Sequence, residues 1–107
     1  MRIVIKKAGE FPEIKDIPNK LSALQEIVGG YIECVKITEG ILCVCNEEGK
    51  LKGLKPNFIF GNDVIVGDVF FCSEDRCDFN SLTDADIDWL MNVLNKIEMI
   101  KRDIREN

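Results

Sequence analysis

The sequence predicts an α+β domain. A mostly antiparallel sheet of about five strands carries a short helix and a long C-terminal helix packed on it. Three observations lead there. Runs rich in Ile, Val and Tyr alternate with turns that contain glycine. The loop Thr38-Glu39-Gly40 has hairpin length and a glycine. From Asp84 onward, apolar residues recur three and four apart, the period of an amphipathic helix.

Residues 2–7 hold Ile3, Val4 and Ile5 and read as a first strand. Gly9 and Pro12 punctuate a turn, and Glu13 to Ile17 returns beside the first strand until Pro18 ends it. Asn19 is a good helix cap, and Leu21, Leu24, Ile27 and Val28 share one helical face. Gly29-Gly30 stops that helix. Tyr31 to Ile37 and Ile41 to Cys45 read as a hairpin. Asn46 to Lys50 is a polar turn, Leu51 to Asn57 an irregular stretch with Gly53 and Pro56, and Phe58 to Phe60 a short apolar run. Val64 to Cys72 reads as one strand, bulged at Gly67-Asp68, and Ser73 to Asp78 as a charged loop. Thr83 with Asp86 resembles a capping box. Ile87, Leu90, Leu94, Ile97, Ile100 and Ile104 then form one stripe on a helix from about 84 to about 103. The order is β-β-α-β-β-β-α in a single domain over 1–107, with both helices expected on one face of the sheet.

Composition narrows the function. The chain has 46% hydrophobic and 31% charged residues, the balance of a globular domain. Its net charge of −5 argues against direct nucleic-acid binding. It has no histidine, which removes His-based acid–base catalysis and His-containing metal sites. No apolar run approaches the roughly 18 residues that span a bilayer, and the start is too weakly apolar for a secretory signal, so a cytoplasmic location is expected. The odd set Cys34, Cys43, Cys45, Cys72 and Cys77 does not close a disulfide framework. Its spacing fits no common zinc pattern, so the cysteines read as core packing.

Two stretches carry possible binding chemistry. Residues 74–88 hold Glu74, Asp75, Asp78, Asp84, Asp86 and Asp88 against one Arg76. They lack the central glycine and terminal glutamate of a calcium loop. They read as a capped helix start beside a solvated loop, or as a docking patch for a basic partner. The second stretch supplies Asn46, Gly49, Lys50, Lys52, Gly53, Lys55 and Asn57. Amides exposed by glycine, together with lysines, can hold a phosphate, although no GxxxxGK[ST] or GxGxxG motif is present. The aromatics Phe58, Phe60, Phe70, Phe71 and Phe79 read as core. Trp89 lies off the main helical stripe and is a candidate interface anchor. Ser22, Ser73 and Ser81 have no histidine to activate them.

Four strings resemble a family of small uncharacterised domains. They are Leu24 to Glu33 (LQEIVGGYIE), Cys45 to Asn57 (CNEEGKLKGLKPN), Asp63 to Gly67 (DVIVG) and Phe79 to Thr83 with Asp84 (FNSLTD). The resemblance covers roughly residues 1–90. It implies a setting in bacteria, phages and other mobile elements, and it carries no catalytic residue with it.

The combined expectation is a non-enzymatic binding protein of counter-defence type, with no metal and no cofactor. It would block a basic host defence protein, such as a nuclease, through Glu74, Asp75, Asp78, Asp84, Asp88 and Trp89. An alternative is sequestration of a nucleotide signal or other small anion by the glycine and lysine turns. A third is a homodimeric adaptor joined through Trp89 and the last helix.

Overall fold

The computed structural model of the chain describes residues 1–76 and 78–106, the last of these by its backbone alone. Strands β1 (Arg2–Lys6) and β2 (Glu13–Asp16) form the expected first hairpin. Helix α1 (Leu21–Val28) follows, then the hairpin of β3 (Ile32–Thr38) and β4 (Ile41–Asn46). The next segment departs from the sequence reading. Pro56 to Phe60 is a strand, β5, paired with β6 (Asp63–Val66) in a separate two-stranded sheet. The expected single strand over 64–72 is therefore two, and its second part is β7 (Val69–Asp75). The charged loop is β-structure as well: β7 runs through it and turns into β8 (Asp78–Asn80). Helix α2 (Asp84–Glu106) closes the chain and runs past the expected end near 103. The fold is α+β and mostly antiparallel, with more strands than the five expected.

The main sheet has the order β2-β1-β7-β4-β3, with β8 extending from β7. Its central strands are buried on both faces. Ile3, Ile5, Leu42, Val44, Phe70 and Cys72 pack with Leu24 and Val28 of α1. Val4, Cys43, Cys45, Val69 and Phe71 pack with Ile87, Leu90 and Leu94 of α2 and with Phe58 and Ile65 of the β5–β6 hairpin. The helices thus lie on opposite faces, not on one. The physical reason is visible in the strands themselves. Ile41 to Cys45 and Val69 to Cys72 are unbroken apolar runs. Such runs need cover on both sides, whereas a strand with one wet face alternates.

Gly67 explains the break at 66–69. It sits at φ 79°, and a Cβ there would lie 2.8 Å from Leu54 Cδ1. A left-handed residue ends one strand and lets the next enter the other sheet. Gly67→Ala is expected to cost about 1–3 kcal/mol, from the left-handed backbone together with the clash. Gly53 has φ 65° and open space around its Cβ position, so Gly53→Ala should cost only the backbone share, about 1 kcal/mol. Urea denaturation of both variants measures the difference. Equal losses at the two sites would remove the packing role of Gly67.

The helix ends show one agreement and one correction. Thr83 Oγ1 accepts the Asp86 N–H at 3.1 Å, as the capping pattern predicts. Asn19 does not cap α1: the N-cap position is Lys20, which makes no side-chain cap bond. Asn19 instead donates to the Phe79 carbonyl at 3.1 Å and ties the helix entry to β8. At the other end Gly29, at φ 78°, donates to the Gln25 carbonyl as a left-handed cap.

Candidate functional site

The acidic run does not form one patch. Asp75 and Asp78 are direct cross-strand partners at the tip of the β7–β8 hairpin. Both are exposed, and both line an open groove of about 630 Å³ with Asn19, Leu21, Phe79 and Asn80. Like charges placed directly opposite each other are unfavourable. No cation pairs with either carboxylate among the described residues. The turn between them adds local strain, since Arg76 holds a left-handed φ of 52°. Cys77 lies outside the described residues.

Strand alternation sends Glu74 elsewhere. It lines a different groove, of about 310 Å³, together with Lys36 and Arg76. Asp84 accepts from Arg2 Nη1 at 2.9 Å, so β1 neutralises it in part. Asp88 is exposed in the early part of α2, and the neighbouring Trp89 is 45% exposed. Three residues join β8 to α2. Ser81 Oγ among them accepts the Arg2 N–H, and Leu82 N–H donates to the Arg2 carbonyl. Asp75, Asp78, Asp84 and Asp88 therefore stand on adjoining elements anchored by one strand, while Glu74 stands apart. Among the described residues, no group of three or more Asp, Glu or Cys side chains is placed to hold a metal ion.

The glycine and lysine turns are more self-contained than the sequence suggests. The amides that glycine was expected to free are already spent. Gly49 N–H donates to Asn46, Lys52 N–H to Glu48, Gly53 N–H to Lys50 and Leu54 N–H to Gly49. Asn46 is buried, and it holds the Val28 carbonyl through Nδ2 and the Glu48 amide through Oδ1. The lysines diverge. Lys50 pairs with Asp63, Lys52 lies toward Gly30 and Lys55 lies toward Gly9. The Lys50 hydrogen bond and the Val64 amide hold the Asp63 carboxyl below its usual range. The cavity beside Lys50 and Asp63 is only about 120 Å³.

Asn57 belongs to a different structure, a buried polar cluster that the sequence reading did not find. Lys6 and Glu98 have no exposed side-chain surface, and Lys6 Nζ lies 3.0 Å from Glu98 Oε1. Nζ also donates to Asn57 Oδ1 and to the Lys7 carbonyl, each at 3.1 Å. Three acceptors match the three donors of an ammonium group. Asn57 is 1% exposed and donates through Nδ2 to the carbonyls of Lys6 and Gly67. Lys101 and Arg102 reach Glu98 from the surface at 3.4 Å. Burial raises the Glu98 pKa, but Lys6, Lys101 and Arg102 outweigh it and hold the carboxyl at about 2. Burial lowers the Lys6 pKa against the opposing pull of Glu98. The sequence carried a signal for this pair. Glu98 continues the inward steps Ile87, Leu90, Leu94 at a spacing of four, where a solvated acid does not belong.

Cys43, Cys45 and Cys72 pack in the core as expected, and Cys34 does not. Cys43 and Cys45 share one face of β4, while Cys72 points to the other side of the sheet. Burial is the main cause that raises the thiols, to about 11 at Cys45, where Glu33 adds to it, and to about 12 at Cys72, where Cys34 and then Glu74 add to it. Thiols so raised stay protonated at neutral pH and are poor nucleophiles. Cys34 is exposed on the edge strand β3.

Fold and geometry together define an antiparallel α+β domain with an acidic hairpin groove at one end. The chain belongs to the family described as Domain of unknown function (DUF3846), whose profile matches residues 1–95. The matched range contains the acidic hairpin, the glycine and lysine turns, Lys6 and Asn57, and stops before Glu98. No curated protein and no solved structure matches the chain. No helix among the described residues is long and apolar enough to cross a membrane.

Proposed function

We propose that the domain is a non-catalytic protein-binding module that docks a partner with a basic surface. The observation that carries the reading is the Asp75–Asp78 pair. Two exposed carboxylates face each other across a strained hairpin, without a compensating cation among the described residues, at the rim of an open groove. A guanidinium or ammonium group from a partner would relieve that repulsion on binding. Asp88, early on α2, adds a further exposed carboxylate, whereas Trp89 lines a separate groove with Phe60 and Val93. Sequestration of a nucleotide is the weaker reading, because the turn amides and the asparagines are already bonded internally. In the phage or mobile-element setting that the family strings suggest, a host defence nuclease with a basic groove is a partner of the right charge. Blocking it would make this a counter-defence protein.

The test is paired capture from bacterial lysate. Wild-type protein and the Asp75→Asn, Asp78→Asn, Asp88→Asn triple variant serve as baits, at about 0.1 M and about 1 M salt. Wild type should retain a basic protein that leaves at high salt, and the variant should lose at least tenfold of it. Equal retention by both baits, or retention that ignores salt, would overturn the reading.

A further inference from the structure

The second half of α2 turns its apolar residues away from the core. Glu98 occupies the inward position beside Lys6, so Ile100 and Ile104, expected in the packed stripe, lie 58% and 71% exposed. They continue a second stripe that begins at the half-exposed Trp89 and passes Val93 and Ile97. Next to it the β5–β6 hairpin presents the cross-strand pair Ile59 and Val64, exposed at 72% and 38%. Two apolar grooves flank Ile59. One, of about 390 Å³, is lined by Trp89, Val93 and Phe60. The other, of about 500 Å³, is lined by Pro56, Val64, Ile97 and Ile100.

We infer that a second copy of this chain covers this surface, with the two α2 helices packed antiparallel about a two-fold axis near Ile97. The stripe is self-complementary in that direction. Its positions 89, 93, 97, 100 and 104 read almost the same from either end, so Trp89 meets Ile104 of the second copy and Val93 meets its Ile100. Charge selects the same orientation. Residues 84–95 carry Asp84, Asp86 and Asp88 and no base, whereas residues 96–105 carry four bases, Lys96, Lys101, Arg102 and Arg105, against two acids, Asp103 and the buried Glu98. Antiparallel packing sets each acidic start beside a basic end; parallel packing sets like beside like. A self-complementary patch closes as a two-fold dimer, the commonest oligomer. The stripe with Ile59 and Val64 gives each copy an apolar centre with a charged rim, the anatomy of an interface. The inference meets the proposed function only at Asp88, one of three acids at the start of α2, and does not rest on that reading. Asp75 and Asp78 lie on another element, and Asp88 stands about a quarter turn from Trp89 on α2.

The test is sedimentation equilibrium of the full chain up to about 0.1 mM. Wild type should show twice the 12.1 kDa chain mass. Ile100→Asp with Ile104→Asp should show the single mass with an unchanged far-ultraviolet circular dichroism spectrum, since both side chains are exposed in the single chain. Asp86→Lys should weaken the dimer at least tenfold, and adding Arg105→Asp should restore it. A wild-type monomer at the highest concentration overturns the inference. So does a dimer that survives both isoleucine changes, and failure of the charge swap overturns the antiparallel arrangement. Loss of dimer with capture of a basic partner retained leaves the proposed function standing, and the reverse outcome separates them equally well.

Discussion

Replacing Lys6 with Met or Glu98 with Leu is expected to destabilise the fold by about 3–5 kcal/mol, while the double replacement recovers most of the loss. Each single change strands a charge in a site with no exposed surface. In Lys6→Met the carboxylate keeps only the 3.4 Å approaches of Lys101 and Arg102 from the rim. In Glu98→Leu the ammonium keeps the Asn57 and Lys7 oxygens but loses its counter-charge. Removing both charges removes the desolvation cost along with the attraction, so the double variant is far closer to wild type than either single one. Recovery is incomplete, because Asn57 Oδ1 then lacks its donor, at about 1–3 kcal/mol. A domain holds only about 5–15 kcal/mol in total, so the single variants approach unfolding. Urea midpoints for the four proteins settle the cycle, and additive losses would show that the pair is not coupled. The same pair sets an acid limit. The Glu98 pKa falls from 4.5 to about 2 on folding, so its contribution is complete above 4.5 and is lost as pH falls toward 2. Glu98→Gln should lack that part of the acid slope, and an unchanged slope would assign it to other carboxylates.

Phe70→Ala and Phe71→Ala are each expected to cost about 3–5 kcal/mol, although the two residues are neighbours on one strand and face opposite ways. Phe70 is fully buried under α1, and Phe71 is 1% exposed, under α2 and the hairpin, 5.9 Å from the Phe58 ring. The comparison is sharp because a sheet covered on one face only would leave one of them in water. That residue would then cost under about 0.5 kcal/mol to truncate. Chemical denaturation of the two variants decides between a sheet covered once and a sheet covered twice. A small loss at either position would contradict the layered arrangement.

Much of the fold was legible because the signals were local. The strands over 2–6, 13–16, 32–38 and 41–46 declared themselves through β-branched content and glycine turns. Helix α1 did so through its spacing and Gly29, and α2 through Thr83 and the three-four period. The misreadings have a common cause. Val64 to Cys72 looks like one apolar strand, and only the left-handed Gly67 against Leu54 splits it between sheets. Asn19 looks like a cap, but a carbonyl of Phe79, sixty residues away, takes its amide. The acidic run looks like one patch, yet strand alternation and Arg2 divide it.

The amino-acid sequence by itself determined the class of fold, the family, the absence of histidine chemistry and the acidic character of residues 74–88. These follow from composition, local propensity and period, which need no distant partner. Tertiary structure alone decided which face each helix covers, that Asn57 belongs to a core cluster, and that Lys6 meets Glu98. Those outcomes depend on pairs separated by fifty to ninety residues, and no local pattern states which distant group will satisfy a buried charge.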